Sequence, residues 1–229
     1  MLTMILAESE LEVMPRELVN HPAIISFARE RRKKPEFILL DSNYHHRAMT
    51  ELSEGRRRGR PDIVHLFLLT ALESIVNKQG QLRIIIHTRH DEVIYVNPET
   101  RIMRNYDRFV GLIEQLFDKK IVRSEEQILL ELKQKVPLNK IVDELGVEKA
   151  IAFLEEGNAV KLNNYFKDLK KHKKKDIVCI IGGFPSGKFN CAIESIADDI
   201  VSIYPEMLVA WTVASEILVN YENTFFVKI

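Results

Sequence analysis

The residues best suited to chemistry fall into a glycine loop and a set of arginines. Gly182-Gly183-Phe184-Pro185-Ser186-Gly187-Lys188-Phe189 follows an apolar run over residues 177–181. The amides of a tight loop therefore stand at the carboxyl end of an expected strand, where α/β folds bind ligands. The run satisfies G-x-x-x-x-G-K, yet Phe189 replaces the hydroxyl residue that holds magnesium in a phosphate-binding loop. Only 40 residues follow Phe189, too few for the remaining strands and magnesium-binding aspartate of a nucleotidase. A different ligand, or a plain turn joining strand to helix, fits better. Val201-Ser202-Ile203-Tyr204-Pro205-Glu206 comes next. Pro205 suits the first turn of a helix running through Leu208, Trp211 and Ile217, so the backbone ahead of it is extended and offers carbonyls and amides to an adenine or a ribose. A simple helix-entry turn is equally compatible.

Arg101, Arg104 and Arg108 would lie within about 60° of one another on a continuous helix, since each residue advances roughly 100°. With Asn105 as a helix cap instead, Arg101 and Arg104 fall on the loop leading into the helix and still project to one side. Guanidinium forks bind phosphate bidentately, so these three beside Arg60 offer a grip on a nucleic-acid backbone. A surface helix salt-bridged through Asp107 and Glu114 accounts for the same spacing. Asp62 follows Arg60 across the rigid Pro61 and is placed to hold that arginine in one rotamer, in preference to serving as a base. His65 is expected to pack at the start of a buried helix, and His45 and His46 to line a cleft. No group of His, Cys and carboxylates has metal-ligand spacing, so no metal is expected.

The elements that must position these groups read as α/β, because short branched and aromatic runs alternate with helical patterns. Strands are expected over residues 2–7, 36–40, 82–88, 93–97 and 177–181, the second and last as central strands. A helix over residues 65–75 is apolar nearly all round, and one over residues 108–117 is amphipathic through Phe109, Leu112, Ile113, Leu116 and Phe117. Residues 124–176 are rich in Glu, Lys and Leu, broken by Pro137, Gly146 and Gly157, and read as a helical insertion in a single domain. The insertion ends in five lysines around His172, expected to be a solvated linker.

Composition narrows the partners. The 229 residues carry 33 Lys and Arg against 33 Asp and Glu, so any nucleic-acid surface must be local. Residues 29–60 hold ten basic side chains against five acidic ones, in runs 31–34 and 56–58 that read as solvated charge. The two cysteines, Cys179 and Cys191, have no metal or redox spacing and point to an intracellular protein. No window approaches the roughly 20 apolar residues of a membrane span.

Leu39-Leu40-Asp41 to His45, Arg60-Pro61-Asp62-Ile63-Val64-His65, Asn77-Lys78-Gln79-Gly80, Arg101-Ile102-Met103-Arg104, Arg108-Phe109-Val110-Gly111-Leu112 and the loop 181–188, in this order over nearly the whole chain, resemble the ribosome-biogenesis pseudouridine N1-methyltransferases of the SPOUT class. The resemblance implies a mostly parallel sheet flanked by helices, a C-terminal trefoil knot, and S-adenosyl-L-methionine bound at the knot. It also implies a homodimer that methylates N1 of a pseudouridine in small-subunit ribosomal RNA and serves small-subunit biogenesis, in the cytoplasm or, in a eukaryote, the nucleolus. Position by position, Gly182, Gly187, Lys188, Phe189, Val201, Ser202, Ile203, Tyr204, Pro205 and Glu206 would contact the cofactor, largely through backbone. Arg60, Arg101, Arg104 and Arg108 would contact RNA, with Asp62 orienting Arg60, and no catalytic base is implied. Met103 and Asn105 stand where the family commonly has proline and threonine, which would loosen the loop presenting Arg101 and Arg104; Pro185 and Ser186 also vary. A non-catalytic RNA-binding ribosome-assembly factor is the alternative, with the same arginines and a purely structural loop.

Overall fold

A computed structural model describes residues 1–226. The chain runs β1 (Leu2–Ser9), α1 (Pro22–Glu30), α2 (Ser42–Met49), α3 (Pro61–Leu72), α4 (Ile75–Lys78), β2 (Leu82–Thr88), β3 (Val93–Val96), α5 (Tyr106–Lys119), β4 (Ile121–Arg123), β5 (Ile128–Lys133), α6 (Leu138–Leu145), β6 (Lys149–Ala159), α7 (Leu162–Lys171), β7 (Ile177–Gly182), β8 (Asp199–Ser202) and α8 (Ala210–Phe225), with short 3-10 turns at Pro35–Phe37 and Ile193–Ser195. The strands form one eight-stranded sheet in the order β4-β5-β3-β2-β1-β7-β6-β8. It is parallel from β2 through β1, β7 and β6 to β8, and antiparallel from β2 through β3 and β5 to β4. The α/β expectation holds, with the parallel half carrying the glycine loop.

Alternation along β1 builds both layers. Leu2, Met4 and Leu6 join the core shared with α3, α5, α7 and α8, while Ile5 and Ala7 face the smaller core under α6, as the two-residue strand period requires. β1 and β7 lie at the centre with Leu2 opposite Ile177 and Ile5 opposite Ile180. Both are buried on two faces and so read as unbroken apolar runs. α3 packs between sheet and α8, which explains its nearly all-round apolar surface.

Several expectations change. Residues 36–40 are not a sheet strand: Pro35 sets a 3-10 turn, and Ile38 to Leu40 extend beside residues 12–14, with Met14 N donating to Ile38 O at 2.7 Å and Leu40 N to Glu12 O at 2.9 Å. Ile38 and Leu40 bury themselves among Met14, Leu18, Ile24, Ala48 and Met49, the core of a small lobe. An apolar run that reads as a central strand thus closes a lobe. Residues 124–176 are not a helical insertion, because they contribute β5 and β6, and β6 sits between β7 and β8. The acidic, exposed second half of β6 hides its strand pattern. The last helix starts at Ala210 instead of at Pro205; Ser202 Oγ donates to Tyr204 O at 2.8 Å, and the chain turns into a loop.

Neither basic run is simply solvated. Arg31 pairs with Asp107 at 3.1 Å and Lys33 with the buried Glu114, fastening the lobe to α5. Arg58 makes two bonds to the buried Glu12, at 2.8 and 2.7 Å. The lysine run is also partly structural, since Lys170 and Lys171 close α7 and Lys170 Nζ donates to Thr224 O at 2.6 Å, docking α7 on α8.

His45 and His46 do not line a cleft. His46 is exposed. His45 is 2% exposed in the lobe, edge-on to Phe27 at 4.7 Å, with Nδ1 accepting from Asp41 N at 3.0 Å and Nε2 unpartnered among the described residues. Burial, helped by the nearby Arg31 charge, holds its pKa down to about 4, and protonating Nδ1 would break the Asp41 bond. Because the unfolded imidazole titrates near 6.5, the unfolded chain takes up this proton first as pH falls, and about 3 kcal/mol of stability is lost between pH 6.5 and 4. His45→Gln should flatten that stretch of the stability curve measured by urea unfolding. An unchanged acid slope would assign the proton uptake to other groups.

Candidate functional site

A cleft of about 290 Å³ opens at the carboxyl ends of β6, β7 and β8, near the lower end of the roughly 300–1,000 Å³ typical of small-ligand pockets. Residues 153–156 of β6 form one wall, and Gly182, Phe184, Gly187, Lys188 and Phe189 form the loop side. Val201, Ser202, Ile203 and Tyr204 leave β8 along the third, with Glu206, Met207, Leu208, Ala210 and Val213 closing it. Of the ten residues expected to contact the cofactor, nine line the cleft and Pro205 does not; Gly183, Pro185 and Ser186 of the loop also stay outside the lining.

Local backbone demands explain the shape. β6 pairs with β8 at Phe153–Val201, slips register, and resumes at Asn158–Val201, which throws residues 154–157 out as a wall. Gly157 fits there because a Cβ would lie 2.5 Å from the Val201 carbonyl carbon. Gly183 donates from N to Ala7 O at 2.7 Å and accepts at O from Glu10 N at 3.1 Å, so the loop is stitched to the end of β1. Gly187 takes a φ of +89°, a left-handed conformation that favours glycine. Among the described residues, the amides of Gly187, Lys188 and Tyr204 have no acceptor in the chain and are free to donate to a ligand. Apolar side chains floor the cleft and Glu155, Glu156 and Glu206 stand at its rim. Lys188 Nζ meets Glu156 at 2.7 Å on the surface, and that hydrogen bond and charge hold the lysine pKa up.

Glu8 and the bulged end of β6 escaped sequence reasoning. The Glu8 carboxylate accepts from Asn190 N and Cys191 N at 2.7 to 2.9 Å and anchors the far end of the loop. The one available signal was Glu8-x-Glu10-x-Glu12 directly after an apolar strand, since carboxylates buried there must be paired.

The arginines gather around the N-termini of α3 and α5. Arg60 precedes α3 and makes a two-pronged bond to Asp62, Nε–Oδ1 2.8 Å and Nη2–Oδ2 2.6 Å. The hydrogen bond to Asp62 is the main cause of its raised pKa. Asn105 caps α5, its Oδ1 accepting from Arg108 N at 3.0 Å, so Arg101 and Arg104 lie on the approach loop. All three later arginines are exposed. Asp107 and Glu114 are occupied by Arg31 and Lys33, which removes the salt-bridged surface helix as an account of the spacing. Nor is the loop left loose by Met103 and Asn105. His65 Nε2 bonds the Met103 carbonyl at 2.8 Å while its ring stacks on Phe109 at 4.4 Å, and Asn105 supplies the cap. Tyr106 donates to Asp41 Oδ2 at 2.6 Å beside them. Among the described residues no group of three His, Cys, Asp or Glu is arranged to hold a metal ion, and no helix is long and apolar enough to cross a membrane.

Known proteins resemble this chain over nearly its whole length. The EMG1/NEP1 methyltransferase family matches residues 4–222. The ribosomal RNA small subunit methyltransferase Nep1 of Pyrococcus furiosus is 48% identical over 221 residues, covering 96% of both chains. Its Methanothrix thermoacetophila counterpart is 49% identical over 223 residues, covering 97% of this chain and 96% of its own. A crystal structure of Archaeoglobus fulgidus Nep1 bound to S-adenosylhomocysteine superposes with a TM-score of 0.86 at 35% identity, covering 97% of each chain. Sequence order, fold and extent agree from end to end, and the chain belongs to the EMG1/NEP1 methyltransferase family.

Proposed function

We propose that this chain is an S-adenosylmethionine-dependent methyltransferase that modifies N1 of a pseudouridine in small-subunit ribosomal RNA and serves small-subunit assembly in the cytoplasm. In this reading it acts as a homodimer, and its C-terminal strands thread a trefoil knot. The carrying observation is the cleft at the ends of β6, β7 and β8, in a chain whose Archaeoglobus relative was crystallised with S-adenosylhomocysteine. The lining suits such a ligand. An apolar floor accepts an adenine, free amides of Gly187, Lys188 and Tyr204 meet its polar atoms, and the rim carboxylates of Glu155 and Glu206 favour a cationic sulfonium and ammonium. The dimer is supported by Leu66, Val209 and Val219, exposed apolar side chains on α3, the loop before α8 and α8.

The bound cofactor supplies an electrophilic methyl group. Everything else is placement by the chain. Pseudouridine is joined to ribose through carbon, so its N1 carries a proton and is free to be alkylated, whereas N1 of uridine is occupied by the sugar. As the N1–methyl bond forms, the sulfur–methyl bond breaks with its electron pair left on sulfur and the N1 proton passes to water, so no strong base is needed. Alignment supplies several kcal/mol of the barrier reduction, within the roughly 7–11 available to well-oriented partners. Arg60, steadied by Asp62, and Arg101, Arg104 and Arg108 clamp phosphates and splay an RNA loop so that one base enters the cleft. Glu10 links the two regions through backbone, with its N on Gly183 O at 3.1 Å and its O on Arg60 N at 2.8 Å. Calorimetry with S-adenosylhomocysteine tests the cofactor half of this reading: saturable heat is expected, and no heat would favour a non-catalytic RNA-binding assembly factor.

A further inference from the structure

We propose that Arg57 is a positioning residue for methyl transfer, whose guanidinium holds the cofactor loop in place at Lys188 and Phe184. The inference rests on the reading of the cleft as the S-adenosylmethionine site. Arg57 lies in the turn before α3, outside the lining, and its side chain is 11% exposed. Nη1 donates to the Lys188 carbonyl at 2.6 Å, and the guanidinium carbon sits 3.9 Å from the centre of the Phe184 ring. Lys188 and Phe184 both line the cleft. The other edge of the guanidinium is fixed from below: Nε donates to Glu10 Oε1 at 2.7 Å and Nη2 to Glu8 Oε2 at 3.2 Å.

Glu8 in turn holds the amides of Asn190 and Cys191. One ion-paired unit therefore grips the loop at both ends, Arg57 at residues 184 and 188 and Glu8 at residues 190 and 191. Beyond the Arg57 bond, the stitch at Gly183 and the surface pair of Lys188 with Glu156, residues 184–189 make no other hydrogen bond among the described residues, and Gly187 is left-handed. A Cβ on Gly187 would come within 3.3 Å of Arg57 Nη1, so guanidinium and loop are in close contact along this edge. Only a planar fork meets a carbonyl, a ring face and two carboxylates together; a lysine ammonium keeps the charge but cannot span them. Arg57 also stands three residues before Arg60, on the turn that delivers the RNA-facing arginine.

The test compares Arg57→Lys with Arg89→Lys in the full chain. Arg89 shares the same carboxylate, bonding Glu10 Oε2 at 2.6 Å and Glu54 at 2.8 Å, but among the described residues its side chain has no hydrogen bond to residues 182–189. Arg57→Lys is expected to raise the KM for S-adenosylmethionine and the Kd for S-adenosylhomocysteine about tenfold, the loss of a charge-assisted bond, with the KM for RNA unchanged. Arg89→Lys should keep wild-type cofactor affinity at a similar melting temperature. Wild-type affinity in a folded Arg57→Lys, or equal losses in both variants, overturns the proposal. Should Arg57→Lys not fold, the double variant Arg57→Gln/Glu10→Gln, which leaves no unpaired charge on Glu10, is held to the same outcomes. Wild-type protein that binds no S-adenosylhomocysteine in the same calorimeter overturns the cleft reading itself, a result distinct from failure of Arg57 alone.

Discussion

Gly183→Ala is expected to abolish measurable S-adenosylhomocysteine binding and to lower the melting temperature by roughly 10 °C. The new Cβ would fall 2.3 Å from Ser9 Oγ and 2.6 Å from Ser9 Cα, on a residue that is fully buried and whose hydroxyl is bonded to Leu6 O at 3.0 Å. Relief requires the loop to lift, breaking the bonds from Gly183 N to Ala7 O and from Glu10 N to Gly183 O. Overpacking of this kind costs about 1–3 kcal/mol and each broken bond about 1 more. A total of about 3–5 kcal/mol at roughly 2–4 °C per kcal/mol for a domain of this size gives the expected shift. Binding suffers more than stability because the same lift moves Gly182 and Phe184, which line the cleft. Gly111→Ala on α5 is the control: an added methyl there meets nothing within 4 Å, and alanine in a helix is preferred by up to about 1 kcal/mol. Near-wild-type cofactor affinity in Gly183→Ala would show that the loop does not shape the site.

Removing Arg101, Arg104 and Arg108 together should cost RNA affinity by about a hundredfold at moderate salt. It should flatten the plot of log K against log salt by about 0.7 for each lost contact to single-stranded RNA. These side chains are exposed; Asp107 and Glu114 already have partners in the lobe, and Glu99 accepts from Gln127 Nε2 at 2.7 Å, so the arginine charge is available to phosphate. The His65 bond to Met103 and the Asn105 cap leave the loop backbone intact when side chains are cut back to alanine. S-adenosylhomocysteine affinity should stay at wild type. A steep, unaltered salt slope would move the RNA surface elsewhere, and equal losses of both affinities would mean that the arginines act through the fold.

Where the sequence carried a strong local signal, the structure followed it. Unbroken apolar runs marked β1 and β7, and the amphipathic stripe from Phe109 to Phe117 and the Asn105 cap marked α5, because burial and capping leave signatures within a few residues. The glycine loop and the β8 exit were legible for the same reason and meet in one cleft. What was hidden depended on distant partners. β6 looks helical because half of it is acidic and exposed. Residues 38–40 look like a sheet strand because lobe cores and sheet cores draw on the same side chains. Arg57 and Arg58 look solvated because the carboxylates that bury them stand at positions 8, 10 and 12. No local window could show a pairing across 46 to 49 residues.

The most direct test of the proposed activity uses purified protein, methyl-labelled S-adenosylmethionine and two small-subunit RNA hairpins that differ only in uridine or pseudouridine at the loop target. Label should enter the pseudouridine hairpin alone, since only that base presents a free N1. Label in both hairpins, or in the uridine hairpin alone, would contradict N1 of pseudouridine as the acceptor, as would label absent from both while S-adenosylhomocysteine still binds.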